Sequence, residues 1–237
     1  TPLEDNVISQ AASYYANSIG KYLVDQNPKA KTAFKLWQEE RGDETSLMSA
    51  LEKNQELKEL VLSETPWVMD ADNEAEQKQR LADFFDENIM QSRLSASLGK
   101  MKNLQRSDGG WSWWPDMPGS FYMTVAVSEM LVRLNALTTV KPETKGMLDN
   151  AFMFMGREVV EMVKEMKKWE KKGQKQTFPS LKTLKWLYLC SLDGRTLPSE
   201  VQAANDYLMP LLKKEIKSQS IYEKALTAII LSKTDVT

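Results

Sequence analysis

The sequence predicts an all-α protein made of antiparallel helical hairpins. Apolar residues recur at three- and four-residue spacing along most of the 237 residues, and this is the period of an amphipathic helix. Segments of alternating apolar and polar residues, which would predict β-strands, are nearly absent. Glycine, proline and asparagine interrupt the pattern at short intervals, and short links favour antiparallel packing of neighbouring helices in a bundle, a solenoid or a closed ring.

The first half of the chain is predicted to contain about six helices. The first of them ends at Asn27 and Pro28, because proline cannot continue the hydrogen-bond pattern of a helix. Its apolar face is predicted to consist of Ile8, Ala12, Tyr15, Ile19 and Leu23. The predicted spans are residues 5–24, 29–40, 45–53, 54–62, 74–88 and 91–104.

The second half is predicted to contain the longest helix, which ends before Gly173. Asp193 and Gly194 predict a turn, and Pro210 is expected to interrupt or kink the helix that begins at Ser199. The predicted spans are residues 120–138, 142–172, 180–191, 199–217 and 220–232.

Charge and hydropathy exclude several classes of partner. The 31 basic and 33 acidic residues are interspersed, so no field of one sign favours nucleic acid or an anionic membrane. The basic stretch from Lys164 to Lys175 is interrupted by glutamates and is interpreted as a solvated helix face. No apolar run reaches the roughly 18–20 residues that a membrane span requires. We therefore expect no nucleic-acid partner and no membrane contact.

The residue types that are missing exclude several kinds of catalysis. The chain contains no histidine, which excludes Ser-His and Cys-His nucleophile systems and most zinc sites. Cys190 is the only cysteine, so a disulfide within the chain is impossible, and its apolar surroundings predict a buried thiol. We expect no metal site and no cofactor.

The segment QRSDGGWSWWP, residues 105–115, is the least ordinary part of the sequence. Gly109 and Gly110 allow backbone conformations that other residues disfavour, and they end the preceding helix. Asp108 is able to accept hydrogen bonds from following backbone amides or from the next helix N-terminus. Gln105 is able to bridge the helix end and the loop.

The indoles of Trp111, Trp113 and Trp114 have two interpretations. In the structural one, at least one indole wedges between helices while the others stay partly exposed, and the segment locks one hairpin to the next. In the functional one, the indoles line a cavity for an apolar or cationic ligand. The residues alone favour the structural interpretation over the functional one.

The same segment resembles two known patterns. Gln105, Gly109 and Trp111 resemble the QxxxGxW signature of α/α-toroid proteins such as the squalene-hopene cyclases, in which the signature ties neighbouring hairpins together. The stretch LQRSDGGWSWWPDMPGSFYMT, Leu104 to Thr124, resembles the LQxxDGGWSWW stretch in the helical, thioester-containing domain of bacterial alpha-2-macroglobulin-like proteins. The resemblance covers about residues 5–140.

The family resemblance implies a fold, a location and partners. It implies that residues 1–237 form one helical domain, an α/α-toroid or a partial one, within a larger multidomain protein of the cell envelope or periplasm. That parent would be a protease-trapping endopeptidase inhibitor. The domain's partners would be neighbouring β-sandwich domains of the same chain and, through the parent, proteases.

The chain departs from the family at the thioester. Thioester members carry a Cys-x-x-Gln element near the start of the toroid, and the corresponding region here has Val7 and Gln10. The sulfur is therefore absent. Cys190 offers no substitute, because Asp193 stands where glutamine is required. We expect a thioester-lacking member without catalytic activity.

Two other classes of function remain open. The acidic residues of Asp70 to Asp72 and Asp83 to Glu87 match neither a DxDD cluster nor a paired magnesium box, and they are interpreted as surface carboxylates. A toroid-type glycosidase or carbohydrate-binding domain would use Asp108 and Asp116 beside a platform from Trp111 to Trp114. The third possibility is a helical scaffold for protein interactions.

Overall fold

The regular secondary structure of the described residues is entirely helical. The computed structural model describes residues 6–29, 31–32, 35, 80, 83–84, 86–114, 116–138, 141–175, 177–214 and 219–234. Within these ranges all regular structure is helical, which confirms the predicted all-α class. The helices are α1 Val7–Gln26, α2 Glu87–Leu104, α3 Phe121–Leu137, α4 Lys141–Lys171, α5 Leu181–Asp193, α6 Ser199–Leu208, a 3-10 helix Met209–Lys213 and α7 Ile221–Thr234. In this part of the chain no helix is both long and apolar enough to cross a membrane.

Most boundaries of the described helices agree with the sequence predictions to within two residues. Other predicted helices fall on residues that the structure does not describe. Residues 29, 31, 32 and 35 are helical, as predicted. The remainder of the 29–40 helix, the 45–53 and 54–62 helices and most of the 74–88 helix lie outside the described residues. The pair Asp70 and Asp72 lies there too.

The sequence predicted a break between two helices at residues 89–90, and this prediction is wrong. Helix α2 is continuous from Glu87 to Leu104. The break lies earlier, at Asp86, whose carboxylate accepts hydrogen bonds from the N–H groups of Asn88 and Ile89, each at 2.9 Å. Because an N-cap carboxylate satisfies these free amides, the helix begins directly after Asp86.

The predicted helix of residues 199–217 is interrupted at Pro210, as expected. The α-helical pattern ends at Leu208, and residues Met209–Lys213 form a 3-10 helix. Pro210 has no N–H group to donate to the carbonyl four residues earlier, so the tighter 3-10 winding replaces the α-helix at this point. Residues 215–217 of the prediction lie outside the described residues.

The buried face of α1 also differs from the predicted one. Leu23 is 60 % exposed, whereas Val7, Ala11 and Tyr14 are fully or almost fully buried. The Tyr14 hydroxyl donates a hydrogen bond of 3.1 Å to Glu143 of α4. This polar partner satisfies the hydroxyl and allows the tyrosine to lie inside, on a face that differs from the one predicted by apolar residues alone.

Contact clustering divides the chain into two compact units. One comprises Thr1–Tyr15 and Leu98–Thr237, and the other comprises Ala16–Ser97. In the second unit, Asp25 forms ion pairs with Lys21 at 2.9 Å and Lys31 at 3.0 Å. Whether the whole chain forms one domain stays a prediction.

In the first unit, helices α3 and α5 pack side by side and run in the same direction. Near their N-termini, the Lys182 ammonium lies 4.5 Å from the centre of the Phe121 ring. Further along both helices, the Arg133 guanidinium donates to the Tyr188 hydroxyl. Burial raises the pKa of Tyr188 above its ordinary value.

Helix α4 runs opposite to α5. Lys182 near the start of α5 pairs with Glu158 at 3.2 Å, whereas Arg195 just after its end pairs with Asp149, nearer the start of α4, at 3.1 Å. The Arg195 guanidinium also lies over the Phe152 ring, 3.7 Å from its centre. One end of this antiparallel pair is therefore joined by an ion pair, and the other end by an ion pair together with a cation–π contact.

Helix α6 runs in the same direction as α4 and packs closely on it. A Cβ atom at Gly156 would lie 3.0 Å from Cγ2 of Val201, so this glycine permits the close approach. Near the C-terminal ends of the same two helices, the Tyr207 hydroxyl donates a hydrogen bond to Glu170 at 2.7 Å. The first unit thus contains two pairs of co-directional helices, α3 with α5 and α4 with α6.

Candidate functional site

The loop between α2 and α3 contains the tryptophan segment and begins with a tight turn. The Gly109 N–H donates to the Arg106 carbonyl at 2.9 Å, and the Arg106 N–H donates to the Gly110 carbonyl at 2.8 Å. The Ser120 N–H donates to the Trp111 carbonyl at 2.8 Å. The bond between Ser120 and Trp111 brings the two ends of loop segment 111–120 together, directly before α3 begins.

Gln105 joins the loop to α4. Its side-chain amide donates one hydrogen bond to the Gly109 carbonyl at 2.9 Å and another to the Met147 carbonyl at 2.8 Å. Both amide hydrogens are therefore used. The bridging expected of Gln105 is present, and it reaches a helix 42 residues away along the chain as well as the adjacent loop.

The two glycines lie against different surfaces. Gly109 has a φ of +94°, and a Cβ atom there would lie 2.4 Å from the carbonyl oxygen of Asn150 in α4. At Gly110 a Cβ atom would lie 3.0 Å from Gly119 and from the Phe154 ring. Of the two glycines, Gly109 is the one with left-handed backbone, while Gly110 is needed for close approach.

One stripe of α4 receives the loop. Met147, Asn150, Phe154 and Arg157 are three or four residues apart, so they lie on one face of the helix. They contact Gln105, Gly109, Gly110 and the Asp108 carbonyl, to which Arg157 donates a hydrogen bond. The loop thus contacts about three successive turns of α4.

Asp108 closes the loop with its carboxylate. One oxygen accepts the Gly110 N–H at 2.8 Å, and the other accepts the Gly119 N–H at 3.0 Å. A carboxylate fits this role because both oxygens accept hydrogen bonds. The carboxylate therefore joins two segments of the loop, because Asp108 and Gly119 are 11 positions apart in the sequence.

We expect Asp108→Asn to destabilise the protein by about 1–3 kcal/mol. The amide nitrogen of asparagine cannot accept a hydrogen bond, so one of the two loop N–H groups loses its partner. The measurement is the urea midpoint followed by far-UV circular dichroism. Asp116→Asn is the matched control in the same loop, because the Asp116 side chain is 96 % exposed. Equal midpoints for the two variants would contradict the proposed role of the Asp108 carboxylate.

Trp111 lies fully buried beneath the loop. Its ring N–H donates to the Met101 carbonyl of α2 at 2.9 Å, and its backbone N–H donates to the Thr124 hydroxyl of α3 at 2.9 Å. The Thr124 hydroxyl in turn donates to the Ser120 carbonyl at 2.7 Å. Hydrogen bonds from this one residue therefore connect α2 to α3.

Trp113 and Trp114 lie on the surface. They are 54 % and 65 % exposed, and their ring centres are 6.3 Å apart with an angle of 36° between the planes. The three indoles do not line a common cavity, since Trp111 is inside and the other two face solvent. Any platform in this loop consists of Trp113 and Trp114 without Trp111.

Sequence reasoning missed several residues of this site. Thr124 and Gly119 lie within the stretch that carries the resemblance, so their closeness in sequence was a usable signal. Phe154 and Arg157 had no local signal, because their role depends on which face of α4 meets the loop. Only the packing of α4 reveals them.

The start of α1, where the family resemblance predicts a degenerate thioester region, is buried and contains no sulfur. Val7 and Gln10, in the first turn of α1, are each 3 % exposed. Cys190 lies on α5, where burial raises the pKa of its thiol to about 12, partly offset by a hydrogen bond with Asn205. Its thiolate, the nucleophilic form, is therefore scarce at neutral pH.

The acidic residues considered for catalysis have separate partners where the structure describes them. Asp86 caps α2, Asp108 binds two loop amides, and Asp116 lies 3.8 Å from Arg106 in an ion pair. Across the described ranges no three His, Cys, Asp or Glu side chains are grouped so that they could hold a metal ion. The basic stretch of α4 contains local ion pairs, including Lys164 with Glu161 at 2.7 Å.

Comparison with known proteins adds no identification. No family model matches the chain, and neither the curated proteins nor the solved structures contain a match.

Proposed function

We propose that this chain is a non-catalytic helical domain of a bacterial macroglobulin-like endopeptidase inhibitor that lacks the thioester. One observation carries the proposal. The stretch Leu104 to Thr124, which resembles the family, supplies the contacts that join α2, α3 and α4. The resemblance therefore falls on residues with a structural task, as expected for a segment that ties helical hairpins together.

The arrangement of helices supports an α/α-toroid or a partial one. Such a ring consists of hairpins whose first helices form one layer and whose second helices form another. The co-directional pairs α3 with α5 and α4 with α6, with α4 opposite to α5, are compatible with this alternation. The loop at Trp111 would then join one hairpin to the next.

The proposed task of the domain is conformational coupling. Buried hydrogen bonds tie α2 and α3 to one loop, and a partly buried one ties α4 to it. A displacement of one helix would therefore be passed to the other two through the loop. In a parent protein of the cell envelope or periplasm, neighbouring β-sandwich domains would dock on this unit. Cleavage of the parent by a protease would shift the unit relative to those domains and enclose the protease.

Trapping would proceed without a covalent bond to the protease. A thioester requires a cysteine sulfur acylated by a glutamine side chain, and Val7 supplies no sulfur to Gln10. The scarcity of thiolate at Cys190 opposes its use as a substitute. Physical enclosure alone would limit the access of large substrates to the trapped protease.

The test uses the full-length polypeptide that carries this chain and a panel of proteases. We expect the parent to be cut and the protease then to lose activity toward casein while it keeps activity toward a small fluorogenic peptide. A small active-site inhibitor is the control, because it abolishes both activities. Pretreatment with methylamine, which opens thioesters, should leave the protection of casein unchanged.

Three outcomes would contradict parts of the proposal. A parent that no protease cleaves, or equal activity toward both substrates after cleavage, would refute the trap and favour a helical interaction scaffold. Incorporation of methylamine into the chain, with loss of protection, would refute the absence of a thioester.

A further inference from the structure

Trp113 and Trp114 form an exposed aromatic surface that the proposed coupling role does not use. Both indoles are more than half exposed, although large aromatic side chains gain much free energy when they are buried. Tryptophan is enriched at binding interfaces, so two neighbouring exposed indoles are a candidate site of interaction. We propose that this surface, the Trp113–Trp114 platform, binds an uncharged oligosaccharide.

The platform is held in place before any ligand binds. The Ser112 hydroxyl and the Met117 N–H donate to the Trp114 carbonyl at 2.7 Å and 3.4 Å. Trp111 fixes the base of the loop to α3 through a buried hydrogen bond with Thr124, and the Asp108 carbonyl accepts an exposed one from Arg157 of α4. The Asp108 carboxylate also binds Gly119 within the loop. A rigid base lowers the conformational entropy that a ligand must remove on binding.

The size of the surface favours a small ligand over a protein. The exposed parts of the two indoles amount to roughly 180–300 Å², given the area of a large aromatic side chain. A stable protein interface covers about 800 Å² on each partner. The neighbouring Met117, whose N–H donates to the Trp114 carbonyl, is itself half-exposed and adds only one further side chain.

The chemistry of the surface favours a sugar. The negative face of an indole attracts weakly positive C–H groups, and pyranose rings present such groups on their faces. Near Trp114, the Asp116 carboxylate is 96 % exposed and able to accept hydrogen bonds from hydroxyl groups, while Arg106 is able to donate them. Arg106 and Asp116 are 3.8 Å apart and balance each other's charge, so the site favours an uncharged ligand.

The experiment is calorimetric titration of the chain with uncharged hexasaccharides of glucose, xylose, mannose and N-acetylglucosamine, together with anionic oligogalacturonate. We expect at least one uncharged sugar to bind. The variants Trp113→Ala and Trp114→Ala should each weaken binding by roughly two- to tenfold, and the double variant by at least about tenfold. Their melting temperatures should not change, because both indoles are exposed.

Trp169→Ala is the matched control for a lost surface indole. Trp169 is 45 % exposed on α4, 12 residues beyond Arg157, or about 18 Å along the helix. It should bind the sugar like the unmodified chain. The proposal is overturned if no uncharged sugar binds, if only the anionic one binds, or if the double variant binds as well as Trp169→Ala does. None of these results bears on the trapping of proteases, which is a separate measurement.

Discussion

Trp111→Ala should destabilise the chain by about 3–5 kcal/mol, because a fully buried indole leaves a large cavity. For a protein of this size the loss corresponds to a fall in melting temperature of roughly 6–20 °C. The variant also removes the hydrogen bond between the ring N–H and Met101, which connects the loop to α2. The measurements are thermal and urea unfolding followed by far-UV circular dichroism.

Trp114→Ala is the control variant, because it removes an exposed indole from the same loop whereas Trp111→Ala removes a buried one. Trp114 is 65 % exposed in the same loop, so its removal should change stability by less than about 0.5 kcal/mol. Trp111→Phe should give an intermediate result, since phenylalanine fills part of the cavity and cannot donate to Met101. If Trp111→Ala and Trp114→Ala had the same melting temperature, Trp111 would not be the buried wedge between helices that we infer.

Gly109→Ala should destabilise the chain by roughly 2–5 kcal/mol. Two effects combine at this residue. Its φ of +94° disfavours a side chain, and the new Cβ atom would lie 2.4 Å from the Asn150 carbonyl oxygen. Because that oxygen belongs to the backbone of α4, relief requires the loop and the helix to separate. Urea unfolding measures the loss, and hydrogen exchange of α4 amides reports the separation.

Gly173→Ala is the matched control for backbone strain alone. Gly173 has a φ of +89°, close to that of Gly109, but a Cβ atom at Gly173 would meet nothing within 4 Å. We expect it to lose only the roughly 1–2 kcal/mol of a left-handed residue. The difference between the two variants measures the contact with α4. Equal losses would mean that the loop does not pack on α4 as described.

Local sequence signals located most of the helices and the principal loop. The boundaries of α3, α4, α5 and α7 follow from apolar periodicity and from capping residues that act within a few positions. Ser220 and Glu223, for example, bind each other's backbone N–H at 2.9 and 3.3 Å before α7. The same reasoning failed on the apolar face of α1, because the distant Glu143 permits Tyr14 to be buried.

The sequence by itself determined the all-α class, the unusual loop at residues 105–115 and the absence of a cysteine near Gln10. These properties depend on composition, on spacing and on interactions between near neighbours. Only the tertiary structure decided that Trp111 is buried while Trp113 and Trp114 are exposed, and that Met147, Asn150, Phe154 and Arg157 receive the loop. The reason is physical: three similar indoles have similar intrinsic preferences, and which of them is buried depends on how the helices pack around the loop. Trp111 is the one that binds Met101 of α2 and Thr124 of α3, which lie 10 and 13 residues away.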